Sequence, residues 1–414
     1  MSAAFAPLDF SAFHREELPR RLAAGHGAIA AADDALPSLC GLAFRLPSGE
    51  AFTYQPCAGG VDVVPGDASA HTVIELALEQ WSELVHDLES APGLLYAGRA
   101  RCASGDAMRF VRWEPALRAM YHGRPIFSPE RAELRDRRGG PLDPSRTFTL
   151  ADDRAEMAHF LRSAGYLLAK GVFTPEQTRG LQDRARAHEA RAQKGDKRSW
   201  WGRNAAGEEV LCRVTRCGES DEDLRGLARD PRIAALAALS HHPLVPRDRW
   251  GDGVAILIKN PGMTEGLSDL PWHRDCGMGG HASMCPVLIF SIYLAPSRPE
   301  TGELRMLPGS HEASLGFFEA TDPRAPRGIG LAADPGDVTL HYGDIMHAAP
   351  PPTGAGPFRK CVLLAYARAD AYNHRGESSY NDVLLSREDG QVEHLAKVAR
   401  RSSEQRGEAE RSTD

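Results

Sequence analysis

The sequence predicts an α+β fold in which a small α/β domain precedes a jelly roll with supporting helices. Two observations predict it. From Gly253 onward, short apolar segments alternate with turns that contain Gly or Pro, a pattern typical of jelly-roll strands, and helical segments precede them. Before those helices, residues 129–148 are charged, rich in Gly and Pro and without apolar periodicity, which indicates a linker.

The chain has 414 residues, a length that suits two domains. We predict a small α/β domain over residues 1–128, the linker over 129–148 and the jelly-roll domain over 149–386. Residues 387–414 are mostly charged or small, so we predict a disordered tail there.

The first domain carries alternating strand and helix signals. Phe44–Leu46 and Phe52–Tyr54 flank a glycine turn and predict a hairpin, and His71–Leu76 predicts a third strand. Apolar residues then recur at helical spacing from Leu78, and a second helix is predicted to begin near Asp106.

The second domain opens with a predicted helix, Asp152–Ser163, and a predicted strand, Tyr166–Ala169. Another helix should begin at Thr174, because Thr174 can cap it, Pro175 suits its first position and Gln177 completes a capping box. The strands predicted after it are Val254–Lys259, Pro286–Leu294, Glu303–Leu307, Asp337–Tyr342 and Phe358–Ala367.

Composition argues against several classes of protein. A net charge of -7 without a basic stripe argues against nucleic acid as a partner, and no apolar run is long enough to span a membrane. The first residues lack the basic start and apolar core of a secretory signal. The eight cysteines form no CxxC pair, so we expect a cytoplasmic protein with free thiols. The oligomeric state stays open.

A metal-binding pattern lies in the second domain. His273 and Asp275 are separated by one residue, so on an extended strand both side chains would point to one side. His347 follows a predicted strand and turn and could supply a third ligand. Two histidines and one carboxylate on one face of an octahedron form the site of non-haem Fe(II) oxygenases, which leaves positions for a 2-oxo acid and dioxygen.

Arg359 follows His347 by twelve residues, inside a predicted apolar strand. A buried arginine needs an anionic partner, and the far carboxylate of 2-oxoglutarate would provide one through two parallel hydrogen bonds. The alternative is a structural salt bridge within the protein.

Five motifs, three of which contain these residues, carry a family resemblance. The motifs are the segments 160–166, 272–275, 301–311 and 336–347 together with Phe358-Arg359-Lys360. In this order, residues from about Thr149 to Ala369 resemble the phytanoyl-CoA dioxygenase family. The resemblance implies a double-stranded β-helix, Fe(II) and 2-oxoglutarate as cofactors, and hydroxylation of an unactivated C–H bond in a small molecule.

The resemblance also implies roles for single residues. His273, Asp275 and His347 match the iron ligands, and Arg359 matches the arginine that holds 2-oxoglutarate. Ile256 and Ser291 fall where the family places residues that line the cosubstrate pocket, while Ala349 replaces a serine that can contact the cosubstrate. A second basic contact could come from Arg213 or Lys259. For the substrate pocket, His281 and Arg213 are the candidates.

Other residues of types that often occur in functional sites are expected to have structural roles. His311 follows a predicted strand and is expected to be structural, and Trp200 and Trp201 are expected to pack in the core or at a rim. The first domain, over about residues 30–125, resembles the sterol-carrier-protein fold, which implies a sheet and helices around an apolar lipid tunnel. The alternative is an accessory domain of another kind.

Two rival functions stay open at this stage. The domain could bind a ligand or metal without turnover, or it could be a cupin-type metalloenzyme that uses no 2-oxo acid. Asp275 argues against a halogenase, because such enzymes leave that ligand position to the halide.

Overall fold

The protein is described here by a computed structural model. It covers residues 5–128, 132–248, 252–265, 270–276, 287–318, 323, 325–354, 356–369 and 395–404. We call residues 5–128 the N-terminal unit and residues 132–369 the second unit. No helix among the described residues is long and apolar enough to span a membrane.

The N-terminal unit is a five-stranded sheet covered by helices, which confirms the predicted small α/β class with more strands than the three that were predicted. Its strand order is β3-β2-β1-β4-β5, with β1 and β4 parallel and the other neighbours antiparallel. The strands are β1 Leu42–Arg45, β2 Ala51–Cys57, β3 Gly60–Pro65, β4 Thr72–Glu75 and β5 Arg101–Ser104. The helices are α1 Phe10–Ala12, α2 Leu18–Arg21, α3 Gly27–Ala30, α4 Leu78–Val85, α5 Ala91–Tyr96 and α6 Ala107–His122.

Helix α6 begins where the sequence predicts it, because the Asp106 side chain caps it by accepting a hydrogen bond from the Met108 backbone N–H. The interior between α6 and the sheet is filled by large aromatic side chains. Trp81, Trp113, Tyr54 and Tyr121 are all fully buried there.

The prediction of a disordered tail is wrong for residues 395–404. They form helix α11, Leu395–Glu404, which packs on α5, α6 and β5 of the N-terminal unit. Leu395 and Val398 are buried in that unit's core, and Ser403 Oγ accepts a hydrogen bond from the backbone N–H of Ala107. Apolar residues at helical spacing outweigh the charged composition once the N-terminal unit offers a surface to cover. The rest of the predicted tail lies outside the described residues.

In the described part of the second unit, four helices lie against the larger of two sheets. The helices are α7 Arg154–Ala164, α8 Pro175–Arg191, α9 Glu222–Leu227 and α10 Pro231–Ala237. The predicted capping box at the start of α8 is confirmed, since the side chains of Thr174 and Gln177 each accept a hydrogen bond from the other residue's backbone N–H.

The larger sheet has the order β11-β7-β8-β10-β18-β13-β16-β6, and β9 pairs with β18. Its strands are β6 Tyr166–Ala169, β7 Ser199–Asn204, β8 Glu209–Val214, β9 Leu244–Pro246, β10 Ala255–Ile258, β11 Met263–Glu265, β13 Val287–Tyr293, β16 Val338–Tyr342 and β18 Lys360–Arg368. The smaller sheet has the order β12-β17-β14-β15. Its strands are β12 Leu270–His273, β14 Leu304–Met306, β15 Ile329–Leu331 and β17 His347–Ala349. The predicted jelly roll with supporting helices is confirmed.

The segment predicted as a linker packs on the second unit where it is described. Phe148 is buried in the core of that unit and forms an isolated bridge with Ala169. The placement of the domain boundaries stays a prediction.

Candidate metal centre

Two strands of the smaller sheet bring the predicted ligands together. His273 ends β12 and lies opposite His347, the first residue of β17. Asp275 follows in a bend after β12, so the prediction that His273 and Asp275 share one strand is wrong. Nevertheless Asp275 Oδ1 lies 3.7 Å from Nε2 of His273 and 3.7 Å from Nε2 of His347. One ligand atom of each residue falls within 4.8 Å of the other two.

The protonation states suit metal binding. Nδ1 of His347 lies 3.0 Å from the carbonyl oxygen of Ile345. A hydrogen bond donated by Nδ1 leaves the lone pair on Nε2, which faces Asp275. Burial lowers the pKa of His347 to about 3, so its imidazole is neutral. Burial alone would raise the pKa of Asp275, but His347, His273 and His341 outweigh it and hold that pKa well below its usual range.

His341 is a neighbour of the metal site that the sequence analysis missed. Its Nε2 lies 3.2 Å from Oδ2 of Asp275, the carboxylate oxygen that does not face the other two histidines. This contact leaves Oδ1 for a metal ion. The sequence could have indicated His341 through strand alternation, because Thr339 and His341 lie on one face of the otherwise apolar strand β16.

The site therefore fits an ion that prefers two imidazoles and one carboxylate. Two histidines and one ionised carboxylate on one side of an ion are the donors of the facial triad of non-haem iron proteins.

Arg359 lies one residue before β18, not inside it as predicted. Its backbone N–H donates to the carbonyl oxygen of Thr301, and its carbonyl oxygen accepts from the backbone N–H of Lys259. The side chain is only 2% exposed, and its Nε has no hydrogen-bond partner. Within the described ranges no carboxylate forms an ion pair with it, so the alternative of a structural salt bridge gains no support. A buried guanidinium without an anion suits a carboxylate ligand.

The two candidates for a second basic contact lie near Arg359. All three cations act on the pKa of the Cys361 thiol, which burial raises and they lower. The Lys259 ammonium is buried and donates to the carbonyl oxygen of Ala349. Arg213 forms an ion pair with Asp252, and burial together with the nearby Asp275 carboxylate raises the pKa of Asp252. Both cations therefore remain candidates.

Comparison with protein families decides what this domain is. Residues 161–361, just under half of the chain, match the family model described as phytanoyl-CoA dioxygenase (PhyH). The chain carries a PhyH domain.

Solved structures that are similar to this chain include the following three proteins. EvdMO1 is 24% identical over 52% of this chain and 50% of its own, with a TM-score of 0.43, so the match spans half of that protein. AviO1 from Streptomyces viridochromogenes Tue57 is 25% identical over 53% of this chain and 97% of its own, with a TM-score of 0.39. The non-heme alpha-ketoglutarate-dependent epimerase SnoN from nogalamycin biosynthesis is 22% identical over 54% and 86%, with a TM-score of 0.42. A search of curated proteins returned no match.

Strand register in the PhyH domain corrects one predicted pocket residue. Leu257 pairs with both Cys361 and Arg213, so these three share the face that also carries the basic side chains. Ile256 pairs with Val362 on the opposite face, in the core that the helices cover. The prediction that Ile256 lines the cosubstrate pocket is therefore wrong.

The position of Ser291, unlike that of Ile256, is compatible with the predicted cosubstrate pocket, because Ser291 lies on the same face of the sheet as His341. It pairs with Thr339 of β16, two residues from His341, and it is buried. Its hydroxyl also interacts with the Cys361 thiol. Its contact with a cosubstrate stays a prediction.

Of the remaining predicted residues, His311 and Trp200 have structural contacts, and His281 is not among the described residues. His311 is structural as predicted, since its ring stacks on Tyr342 and its Nε2 lies 2.9 Å from the carbonyl oxygen of Arg162. Trp200 packs in the core of the N-terminal unit, and the Arg213 guanidinium lies 4.8 Å from its ring centroid. His281 lies outside the described residues.

Proposed function

We propose that the PhyH domain is an Fe(II)- and 2-oxoglutarate-dependent dioxygenase that hydroxylates an unactivated C–H bond of a small molecule. The observation that carries the proposal is a candidate three-ligand metal site together with the buried Arg359, with which no carboxylate of the described residues forms an ion pair. Iron bound with 2-oxoglutarate would supply the chemistry that activates dioxygen toward a C–H bond.

The protein's own residues would hold and orient the reactants. His273, Asp275 and His347 would ligate the metal, and His341 would keep the carboxylate in place. Arg359 would bind the far carboxylate of 2-oxoglutarate. His347, His341 and Arg359 are buried, which keeps water from competing for these side chains and strengthens their interactions.

An anaerobic titration tests the cosubstrate. Fe(II) is added to the metal-free full chain, and 2-oxoglutarate is then titrated while visible absorption is recorded, since chelation of Fe(II) by a 2-oxo acid gives a coloured complex. The parent should form that complex. Arg359→Ala should bind 2-oxoglutarate more weakly by about 2 kcal/mol or more, roughly 30-fold, because the ligand carboxylate loses its buried partner.

Two variants sharpen the result. Arg359→Lys should recover part of the affinity, since a point charge cannot form two parallel hydrogen bonds. Arg179→Ala removes an exposed arginine on α8 and should bind as the parent does. No absorption change in the parent would favour a metalloenzyme without a 2-oxo acid, and binding without succinate release across a metabolite screen would favour a non-catalytic protein.

The cellular location of the protein and the role of its N-terminal unit are separate proposals. A cytoplasmic location is supported by free thiols at Cys40, Cys57, Cys217 and Cys361. Lipid binding by the N-terminal unit rests only on its sheet-and-helix pattern, and the large aromatic side chains that fill the interior between α6 and the sheet argue against a lipid tunnel there. The test is binding of a fluorescent fatty acid to the full chain, and lack of binding would leave that unit a packing role.

A further inference from the structure

A chain of buried charges joins the N-terminal unit to the metal site. Arg274 stands between the ligands His273 and Asp275. Its guanidinium forms an ion pair with Glu114 of α6 and donates to Asp344 Oδ1 at 3.0 Å. Arg274 is 7% exposed, so both pairs are shielded from water. The backbone between two metal ligands is thus attached to a helix of the other unit.

Asp344 extends the chain to the third ligand, because it lies in the turn three residues before His347. Its Oδ2 accepts a hydrogen bond from Arg124 at 2.9 Å and lies 3.8 Å from Arg118. Arg118 is itself held by Asp87 through two parallel hydrogen bonds of 3.0 and 2.7 Å. The three arginines cause the pKa of Asp344 to be lowered although burial opposes them.

The alternation of buried charges means that the loss of any one charged residue should disturb its neighbours. Three arginines and three carboxylates alternate, so each buried charge has an opposite neighbour. Removal of one partner leaves an uncompensated buried charge, which the surrounding backbone can relieve only by moving. In Glu114, Oε1 binds Arg274 while Oε2 accepts the backbone N–H of Ala91 at 2.9 Å. An amide has one acceptor oxygen and cannot serve both donors.

We propose that Glu114 and Arg118 of the N-terminal unit are positioning residues for the metal centre. Glu114 acts through Arg274 on the segment that carries His273 and Asp275. Arg118 acts through Asp344 on the turn that leads to His347. The inference rests on the proposed function only in taking these three residues as metal ligands.

The test measures metal affinity of the full chain without turnover. Mn(II) is titrated into the metal-free protein, and free Mn(II) is followed by electron paramagnetic resonance. Glu114→Gln should weaken Mn(II) binding by roughly 10–100-fold, the usual effect of removing a residue that orients metal ligands. Glu79→Gln, which alters an exposed carboxylate on α4, is the matched control and should bind as the parent does.

The double variant Glu114→Gln/Arg274→Gln separates coupling from independent damage. If the two residues act as one unit, the double variant should bind Mn(II) at most about 2-fold more weakly than the weaker-binding of the two single variants, Glu114→Gln and Arg274→Gln. Parent-like Mn(II) affinity in Glu114→Gln, even with a lower unfolding midpoint, would overturn the proposal and leave a purely structural contact.

Two further measurements keep the outcomes distinct. If the parent itself binds no Mn(II), or if His347→Ala binds it equally well, the metal site and the proposed function fail rather than the positioning role. Should Glu114→Gln not fold, Arg118→Lys takes its place with the same two outcomes, because lysine keeps the charge but loses the two-pronged contact with Asp87.

Discussion

The buried histidine of the N-terminal unit should make the stability of the protein depend on pH. His14 is 3% exposed and stacks on Phe52, with ring centroids 4.2 Å apart. Its Nδ1 lies 2.7 Å from the carbonyl oxygen of Phe10, and its Nε2 lies 2.8 Å from the hydroxyl of Tyr54. A neutral ring satisfies both contacts if Nδ1 donates and Nε2 accepts, whereas a protonated ring would force Tyr54 to reverse its hydrogen bond.

Burial lowers the pKa of His14 from 6.5 to about 4. Between these values the unfolded chain binds a proton that the folded chain does not, so the free energy of unfolding falls as pH falls. The difference corresponds to about 3 kcal/mol at about 1.4 kcal/mol per pKa unit. The loss should begin near pH 6.5, the ordinary value for histidine, and be complete below about pH 4.

Denaturant unfolding across this pH range, followed by tryptophan fluorescence, measures the effect. His14→Gln should lower stability at neutral pH and reduce the pH dependence by the His14 contribution, since glutamine does not titrate, while the buried His347, whose pKa is also lowered, keeps a contribution of its own. His71→Gln, an exposed histidine of the same unit, should keep the parent's slope. Parallel curves for His14→Gln and the parent would show that the buried imidazole does not carry the pH dependence.

Three further outcomes follow from the contacts described above. Alanine at any of the three metal ligands should abolish metal binding and turnover with the fold intact, as checked by metal analysis against the exposed control His241→Ala. His341→Phe should weaken Mn(II) binding by roughly 10–100-fold, because Asp275 loses the contact that orients it. Leu395→Ala should lower the unfolding free energy by about 2–5 kcal/mol in denaturant unfolding, and parent-like stability would refute the packing of α11. Arg400→Ala on the exposed side of α11 is its control.

Local signals in the sequence predicted much of the fold. The capping box at Thr174, the helix start near Asp106 and the strand Tyr166–Ala169 all depend on residues within a few positions of one another, and all are confirmed. The helical stretch between Phe10 and Ala30 was missed, because π-helical turns at Phe13–Glu17 and Leu22–His26 shift the apolar residues off the regular helical period.

The candidate site was predicted where the chemistry of a residue type is itself informative. Two histidines, one carboxylate and a buried arginine have few structural uses in combination. Ile256 was misplaced because neighbouring residues of a strand point to opposite faces, so an error of one position transfers a residue from the pocket to the helical core. Sequence order alone does not fix such a register.

Arg274 shows why the rest of the site could not be predicted. An arginine between two metal ligands would by default be a solvent-exposed charge, and its partners lie 160 and 70 residues away in the chain. Only the packing of α6 against the PhyH domain turns it into a buried bridge. Trp200 of β7 also lies in the core of the N-terminal unit, and α11 packs on that same unit. A metal site supported by such contacts depends on the whole chain, so measurements of metal affinity on the isolated PhyH domain should underestimate that of the intact protein.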